Sequence, residues 1–194
     1  MKIFLASGNA HKIEEFRKIF ADGPLDFEGI PVSVEENGIS FAENALIKAK
    51  KGCEISGQPT LADDSGLSVD SLEGRPGIHS ARYGGEKATS REKIEKLLLE
   101  MKDLPDEKRS ASFHCALALV FPDGSKIEVE GVCPGFIARE CSGEGGFGYD
   151  PVFHLPEIGK TFAQLSNEEK NLLGHRGKAA RLLLAALKER LPQK

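Results

Sequence analysis

The stretch that decides the fold class is KIFLASGNAHKIEEFRKIFA, Lys2 to Ala21. Its opening residues, Lys2–Ser7, are a short apolar run of the kind that forms a buried strand. From Ala10 to Ala21, Ile13, Phe16 and Phe20 recur at helical spacing. Lys12, Glu14, Glu15, Arg17 and Lys18 fill the other face, so the segment reads as an amphipathic helix. The chain therefore opens strand–loop–helix, with Ser7-Gly8-Asn9 as the loop.

Working outward, Phe27–Val32 reads as a second short strand. Ser40-Phe41-Ala42-Glu43 has the spacing of a capping box. It opens a helix to about Ile55, with Ala42, Ala45, Leu46, Ala49 and Cys53 on one face. Thr60–Asp63 is a short strand ending in the acidic Asp63-Asp64-Ser65-Gly66, after which Leu67–Leu72 is expected to continue the sheet. Gly74–Gly85 reads as a long loop and Ser90–Met101 as a helix. Ser110–Phe121 and Ser125–Cys133, joined at Pro122-Asp123-Gly124, form a hairpin. Gly135–Glu140 and Val152–Leu155 add strands around a glycine loop, Gly143–Tyr149. A second capping box, Ser166–Glu169, precedes a closing helix expected over Gly177–Leu191. Strands, helices and a hairpin interleave irregularly, which predicts a mixed α/β sheet rather than a strict βαβ repeat. With no internal repeat, low-complexity tract or linker, residues 1–194 read as a single domain.

Composition narrows the function classes. The 194 residues are 40% hydrophobic and 29% charged, which excludes intrinsic disorder. Lys+Arg 26 against Asp+Glu 30 gives a net charge of −4, unsuited to coating nucleic acid. The four cysteines, Cys53, Cys115, Cys133 and Cys141, contain no C-x-x-C pair, which argues against zinc or a disulfide framework and for a reducing compartment. There is no signal-peptide pattern, and apolar runs such as Leu182–Leu187 fall far short of the ~18 residues of a membrane span. The expectation is a cytoplasmic protein that binds neither membrane nor nucleic acid.

Five segments carry candidate chemistry. Ser7, Gly8, Asn9, Ala10, His11 and Lys12 put backbone N–H groups at a helix start, where Lys12 adds positive charge. That is an anion site, or else a plain connection with Asn9 as N-cap. In an extended segment Asp63 and Asp64 point to opposite sides, so one can face a metal and water while the other braces the turn. Carboxylates combined with waters and phosphate oxygens suit Mg²⁺; the competing reading is an acidic turn. Glu35-Glu36-Asn37-Gly38 offers a further ligand or is a solvated turn, and Glu43 has a ready role as a cap. Gly143–Gly148 satisfies G-x-G-x-x-G, but Tyr149-Asp150-Pro151 follows where a dinucleotide fold needs a helix. What remains is a glycine loop carrying Phe147, which either stacks on a flat ligand or plugs the core. His175 and Arg176 precede the last helix, against the dipole preference for acids there, and Lys170 lies shortly upstream. An anion loop, an acidic pair, an aromatic loop and a basic pair together point to a nucleotide with phosphates at one end and a base at the other.

These residues also form a known series: SGN-x-x-K at Ser7–Lys12, F-x-E-N-A at Phe41–Ala45, ADDSGL at Ala62–Leu67 and PGI-x-SARY at Pro76–Tyr83. GGFGYDP at Gly145–Pro151, E-E-K at Glu168–Lys170 and HRG at His175–Gly177 complete it. In this order they closely resemble the inosine triphosphate pyrophosphatase family across nearly the whole chain. The resemblance implies two α/β lobes around a long mixed sheet, with an active-site cleft between them. It implies a homodimeric, cytosolic, Mg²⁺-dependent enzyme that hydrolyses ITP, dITP and XTP to monophosphate and pyrophosphate, cleansing the nucleotide pool. By motif, Ser7–Lys12 bind the triphosphate, Glu35 and Asp64 serve Mg²⁺, and Asp64 is the base. Ser65, Phe147, Gly148, Tyr149, Asp150, Lys170, His175 and Arg176 contact the nucleotide. Two rivals are an enzyme of the same architecture acting on dTTP or UTP, and a non-catalytic nucleotide-binding module.

Overall fold

A computed structural model describes residues 2–21 and 25–190. Its elements in chain order are β1 (Lys2–Ala6), α1 (Ala10–Ile19), β2 (Asp26–Ile30), α2 (Phe41–Ser56), β3 (Thr60–Val69) and α3 (Ser90–Glu100). There follow β4 (Ser110–Val120), β5 (Lys126–Ile137), β6 (Phe153–Leu155), β7 (Lys160–Thr161), α4 (Asn167–Leu173) and α5 (His175–Arg190). The strands form a sheet in the order β2-β1-β3-β4-β5-β6-β7. β1 runs parallel to β2 and β3, whereas β6 runs antiparallel to β5 and β7. The sheet is therefore mixed and the class α/β, as the interleaved elements predict. The end of the last helix expected at Leu191 lies outside the described residues.

The chain divides into two compact units. The first comprises Met1–Asp64, Cys115–Gly131 and His175–Lys194; the second comprises Ser65–His114 and Val132–Gly174. The first unit has an apolar cluster on each side of its strands. Ile3, Leu5, Leu61, Leu117 and Leu119 pack with Phe16 of α1, Phe20 just beyond it, and Leu183 and Leu187 of α5. Ala6, Ala62, Ala116 and Ala118 pack with Ala45, Ala49 and Cys53 of α2. This second interface is tight because its residues are small: a Cβ on Gly52 would lie 2.6 Å from Thr60 Cγ2. The second unit has its own core, in which Phe113, Phe153 and Phe162 form an aromatic cluster with Leu67, Leu97, Met101 and Val152. Full burial of each such ring contributes roughly 1.5–3 kcal/mol.

Four local readings are corrected. Asp63-Asp64-Ser65-Gly66 is not a turn at the end of a short strand, because β3 runs unbroken from Thr60 to Val69. Asp and Gly favour turns, but here every residue of the strand except Ser65 and Ser68 is buried, and the acids have ion-pair partners. β5 is likewise one strand, Lys126–Ile137, running through Pro134. Its ladder to β6 runs through Phe136–His154 and Ile137–Phe153, beyond the proline that would have lacked a donor. His175 and Arg176 are the first residues of α5 rather than a loop before it. Finally, Lys12 and Glu15 do not lie on the solvated face of α1, since both side chains pair with buried groups.

Candidate active site

β3 carries the acids at the centre of the first unit. Residues in a strand alternate sides: Leu61 packs in the α1/α5 cluster and Ala62 in the α2 cluster. Asp63 therefore faces α1 and α5, and Asp64 faces α2. The ion pairs agree with this. Lys12 Nζ lies 2.7 Å from Asp63 Oδ2, and Lys48 Nζ of α2 lies 3.1 Å from Asp64 Oδ1. Lys48 also reaches Glu36 Oε2 at 3.3 Å.

The two neighbours differ electrostatically. Burial alone would raise the Asp63 carboxyl, but Lys12, Lys48 and Arg176 outweigh it and hold its pKa at about 2. Asp63 is thus a permanent anion that fixes cations. Burial pushes the Asp64 carboxyl above its ordinary value; Lys48 and Lys12 offset only part of this, and Glu36 adds to the rise. A raised carboxyl is the better proton acceptor. Burial works against the Lys48 ammonium too, yet Asp63, Asp64 and Glu36 together raise its pKa.

Asp64 Oδ2 is buried and has no hydrogen-bond partner among the described residues. A carboxylate oxygen withheld from water without a donor is costly, and a hard cation would satisfy it. The chemistry of this donor set fits a divalent cation, with Asp64 and Glu36, which share Lys48, as carboxylates near the site. Glu35, the residue expected from the motif, and Glu36 are both exposed, and it is Glu36 that pairs with Lys48. Among the described residues no three metal-ligating side chains cluster.

The Ser7–Lys12 connection is a helix start capped by Asn9, whether or not it also binds an anion. Asn9 N donates to Ser7 Oγ at 3.2 Å, and Lys12 N donates to Asn9 Oδ1 at 3.3 Å, so Asn9 caps α1. The first turn holds no acid, and a Cβ on Gly8 would meet nothing within 4 Å. The N-terminus of α1 thus presents positive partial charge over an open loop. The side chains of Ala10 and His11 lie outside the described part.

At the start of α5, His175 and Arg176 are both buried. Arg176 Nη1 donates to Glu15 Oε2 of α1 at 2.8 Å. The helix start is fixed against β5, because a Cβ on Gly131 would fall 2.2 Å from the His175 carbonyl oxygen and 2.4 Å from Ala179 N. Only glycine permits that approach.

The second unit holds the glycine loop. Lys170 Nζ lies 2.7 Å from Asp150 Oδ2, with both side chains buried. The same oxygen accepts from Phe147 N at 2.8 Å, and Lys170 Nζ stands 5.1 Å from the Phe147 ring centroid. Gly146 has φ 73°, and a Cβ there would sit 2.1 Å from Asp150 Oδ2. Asp150 therefore ties the loop, and Phe147 is half-buried rather than a core plug. Gly148, with φ 64°, completes the turn. Tyr149 is buried, and its hydroxyl donates to the Ser80 carbonyl at 3.0 Å, a structural bond. Ser65 is half-buried in β3.

Sequence reasoning missed Lys48, Glu36 as the paired acid, and Glu15. Lys48 stands one turn beyond the buried Asn44, whose Oδ1 accepts from Gly38 N at 2.9 Å. A buried Asn on α2 aimed at the acidic loop was the available signal.

Comparison with known proteins follows this geometry. A model of the Ham1 family matches residues 3–186, a span that contains every motif quoted above. A dITP/XTP pyrophosphatase of Pectobacterium atrosepticum is 49% identical, over 96% of this chain and 98% of its own. One from Salmonella typhi is 48% identical with the same coverage. Among solved structures, a HAM1 protein from Coxiella burnetii superposes with a TM-score of 0.88 at 41% identity, covering 97% of this chain and 99% of its own. The Staphylococcus aureus Ham1 protein does so with a TM-score of 0.88 at 40% identity, covering 98% and 100%. A family match over residues 3–186 and relatives near half identical across almost the whole length show that the chain belongs to the Ham1 family.

Proposed function

We propose that the protein is a nucleoside triphosphate pyrophosphatase acting on the non-standard purine nucleotides ITP, dITP and XTP. It releases the monophosphate and pyrophosphate and so keeps these nucleotides out of DNA and RNA. The observation that carries this reading is the division of labour in β3: Asp63 is locked to Lys12, while Asp64 keeps a buried oxygen without a partner. A binding module has no use for such a carboxylate beside a phosphate loop. The Pectobacterium and Salmonella relatives, dITP/XTP pyrophosphatases by name, support the same reading. The family resemblance extends it to a homodimer in the cytoplasm.

In this reading the Ser7–Asn9 loop and the α1 N-terminus hold the triphosphate through backbone N–H groups. Lys12, already fixed by Asp63, lends its charge to the same end. Asp64 and Glu36 would hold Mg²⁺, with Glu35 beside them. When bound, it would supply charge neutralisation for the leaving pyrophosphate and help to activate the attacking water. Asp64 orients the attacking water in line with the α-phosphorus and accepts its proton. Lys48 keeps Asp64 and Glu36 together and offsets their mutual repulsion. Arg176 and His175 donate to the 6-oxo group of hypoxanthine or xanthine, as Arg reads guanine O6. The 6-amino group of adenine leaves those donors unpaired, costing about 1–3 kcal/mol each. Phe147 stacks on a base, and the Asp150–Lys170 pair holds the loop that carries it.

Turnover of ITP in ¹⁸O-water tests the chemistry. Attack at the α-phosphorus places the label in IMP, with one pyrophosphate per IMP. Orthophosphate as the product, or label in pyrophosphate, contradicts the proposal.

A further inference from the structure

We propose that Asn44 is a positioning residue of the cation site: its buried amide clamps the backbone of the acidic loop at Gly38 and so presets the Glu36 carboxylate beside Asp64. This rests on the proposed role of Glu36 and Asp64 as the carboxylates that hold the divalent ion.

Asn44 breaks a local rule. It is the fourth residue of α2 and is 2% exposed. Asn is a poor helix former, and a buried amide is costly unless it is hydrogen-bonded. Its partner comes from residues 31–40, which form neither helix nor strand. Gly38 N donates to Asn44 Oδ1 at 2.9 Å. The side chain before it takes the next amide, since Ile39 N donates to Glu43 Oε2 at 2.9 Å. An ordinary capping box would turn that Glu back to the amide of the N-cap, here Ser40. Glu43 instead reaches one residue further upstream, and Asn44 two. Consecutive side chains of α2 thus hold consecutive amides of the acidic loop. The approach is close: a Cβ on Gly38 would lie 2.7 Å from Asn44 Oδ1 and 2.8 Å from Glu43 Cβ.

The placement on α2 turns this clamp toward function. Asn44 and Lys48 stand four residues apart, on one face of the helix. Lys48 Nζ reaches Glu36 Oε2 at 3.3 Å and Asp64 Oδ1 at 3.1 Å. One rigid helix therefore holds the loop twice, by its backbone at Gly38 and by the Glu36 side chain two residues earlier. Lys48 alone would leave Glu36 on a segment with no ladder of its own, and that side chain is 38% exposed. Fixing the backbone at Gly38 removes freedom that the carboxylate would otherwise lose when the ion binds. Asn44 needs to touch neither ion nor substrate for this, because it acts through Glu36. Partners that orient a ligand in this way are typically worth about 10–100-fold in metal affinity.

The test compares the intact protein with Asn44→Ala, Asn44→Asp, Gly38→Ala, Glu36→Gln and the double variant Asn44→Ala/Glu36→Gln. Two readouts need no turnover: hydrogen exchange at the Gly38 amide, and affinity for Mn²⁺ in the presence of an α,β-imido analogue of ITP, read by water-proton relaxation. A third is the Mg²⁺ concentration that half-saturates kcat. Asn44→Ala is expected to lose the protection of the Gly38 amide and to weaken Mn²⁺ binding by about 10–100-fold. The half-saturating Mg²⁺ rises in step, and kcat at saturating Mg²⁺ recovers toward that of the parent. Asn44→Asp keeps an acceptor oxygen and should restore part of both losses. Gly38→Ala leaves α2 intact and pushes the loop off Asn44, so the same loss is expected even if Asn44→Ala fails to fold. In the Glu36→Gln background the effect of Asn44→Ala should vanish, because the two residues act as one unit. If Glu36→Gln weakens Mn²⁺ binding while Asn44→Ala and Gly38→Ala only lower Tm, the positioning role is wrong and the metal reading stands. An effect of Asn44→Ala that persists undiminished beside Glu36→Gln also overturns it. If Glu36→Gln itself leaves Mn²⁺ affinity unchanged, the metal reading of Glu36 fails and the positioning role falls with it.

Discussion

Lys48 Nζ stands 3.1 Å from Asp64 Oδ1, while the other oxygen of that carboxylate is buried without a hydrogen-bond partner. One oxygen of Asp64 is therefore held by a fixed cation, and the other is buried with no partner among the described residues. A carboxylate engaged on both sides would be structural.

Asp64→Asn keeps the shape and removes both the charge and the proton acceptor. Loss of general-base help costs ~10²–10⁴-fold, and loss of a metal ligand adds to it. The expected kcat for ITP falls at least about a thousandfold, with ITP binding retained by equilibrium dialysis. Turnover within tenfold of the parent removes Asp64 from the mechanism.

Asp63 predicts an acid limb of stability. Its folded pKa of about 2 lies below the ordinary ~3.9 of an unfolded Asp. A depressed carboxyl contributes stability that is fully present above the unfolded value and is lost as pH falls through the folded one. The contribution is about 2 kcal/mol at neutral pH. Asp64, whose pKa is raised, contributes with the opposite sign over its own range. Urea unfolding between pH 6 and pH 2.5 is expected to show Asp63→Asn less stable than the parent at pH 6, the gap closing toward pH 2.5. A constant gap contradicts the ion-pair assignment.

Gly131→Ala places a Cβ against the backbone of His175 and Ala179. Backbone cannot swing aside as a flexible side chain can, so the start of α5 must move. The expected cost is roughly 1–3 kcal/mol, read as a lower Tm, together with a narrower ITP/ATP ratio. A normal ratio at lowered Tm separates the packing of α5 from base reading.

Gly146→Ala sets a Cβ against Asp150 Oδ2 at a φ of 73° that L side chains rarely adopt. The loop carrying Phe147 must open and loosen the Asp150–Lys170 pair. KM for ITP is expected to rise about tenfold or more while the far-UV circular dichroism stays unchanged. An unaltered KM returns Phe147 to a structural role.

Much of this was legible in the chain. β1 and α1 followed from the apolar spacing of Lys2–Ala21, and the Ser166 capping box from its own four residues. What stayed hidden has common physical causes. Periodicity assigns every charged side chain of an amphipathic helix to solvent, yet long stems carry Lys12, Glu15 and Lys48 to partners that other segments supply. Turn propensity mistook Asp63–Gly66 for an end of strand because the neighbours that bury β3 come from distant segments. Adjacent Glu35 and Glu36 are equivalent by composition, and only the position of Lys48 distinguishes them.

The central claim is selectivity for non-standard purine triphosphates with pyrophosphate release. Its most direct test is the initial rate of pyrophosphate formation, at fixed Mg²⁺, across ITP, dITP, XTP, ATP, GTP, dTTP and UTP. The account predicts kcat/KM for ITP, dITP and XTP at least about a hundredfold above that for ATP, and similarly low values for dTTP and UTP; GTP carries the same 6-oxo group and meets the same donors. Comparable rates on ATP, or a preference for dTTP or UTP, contradict it.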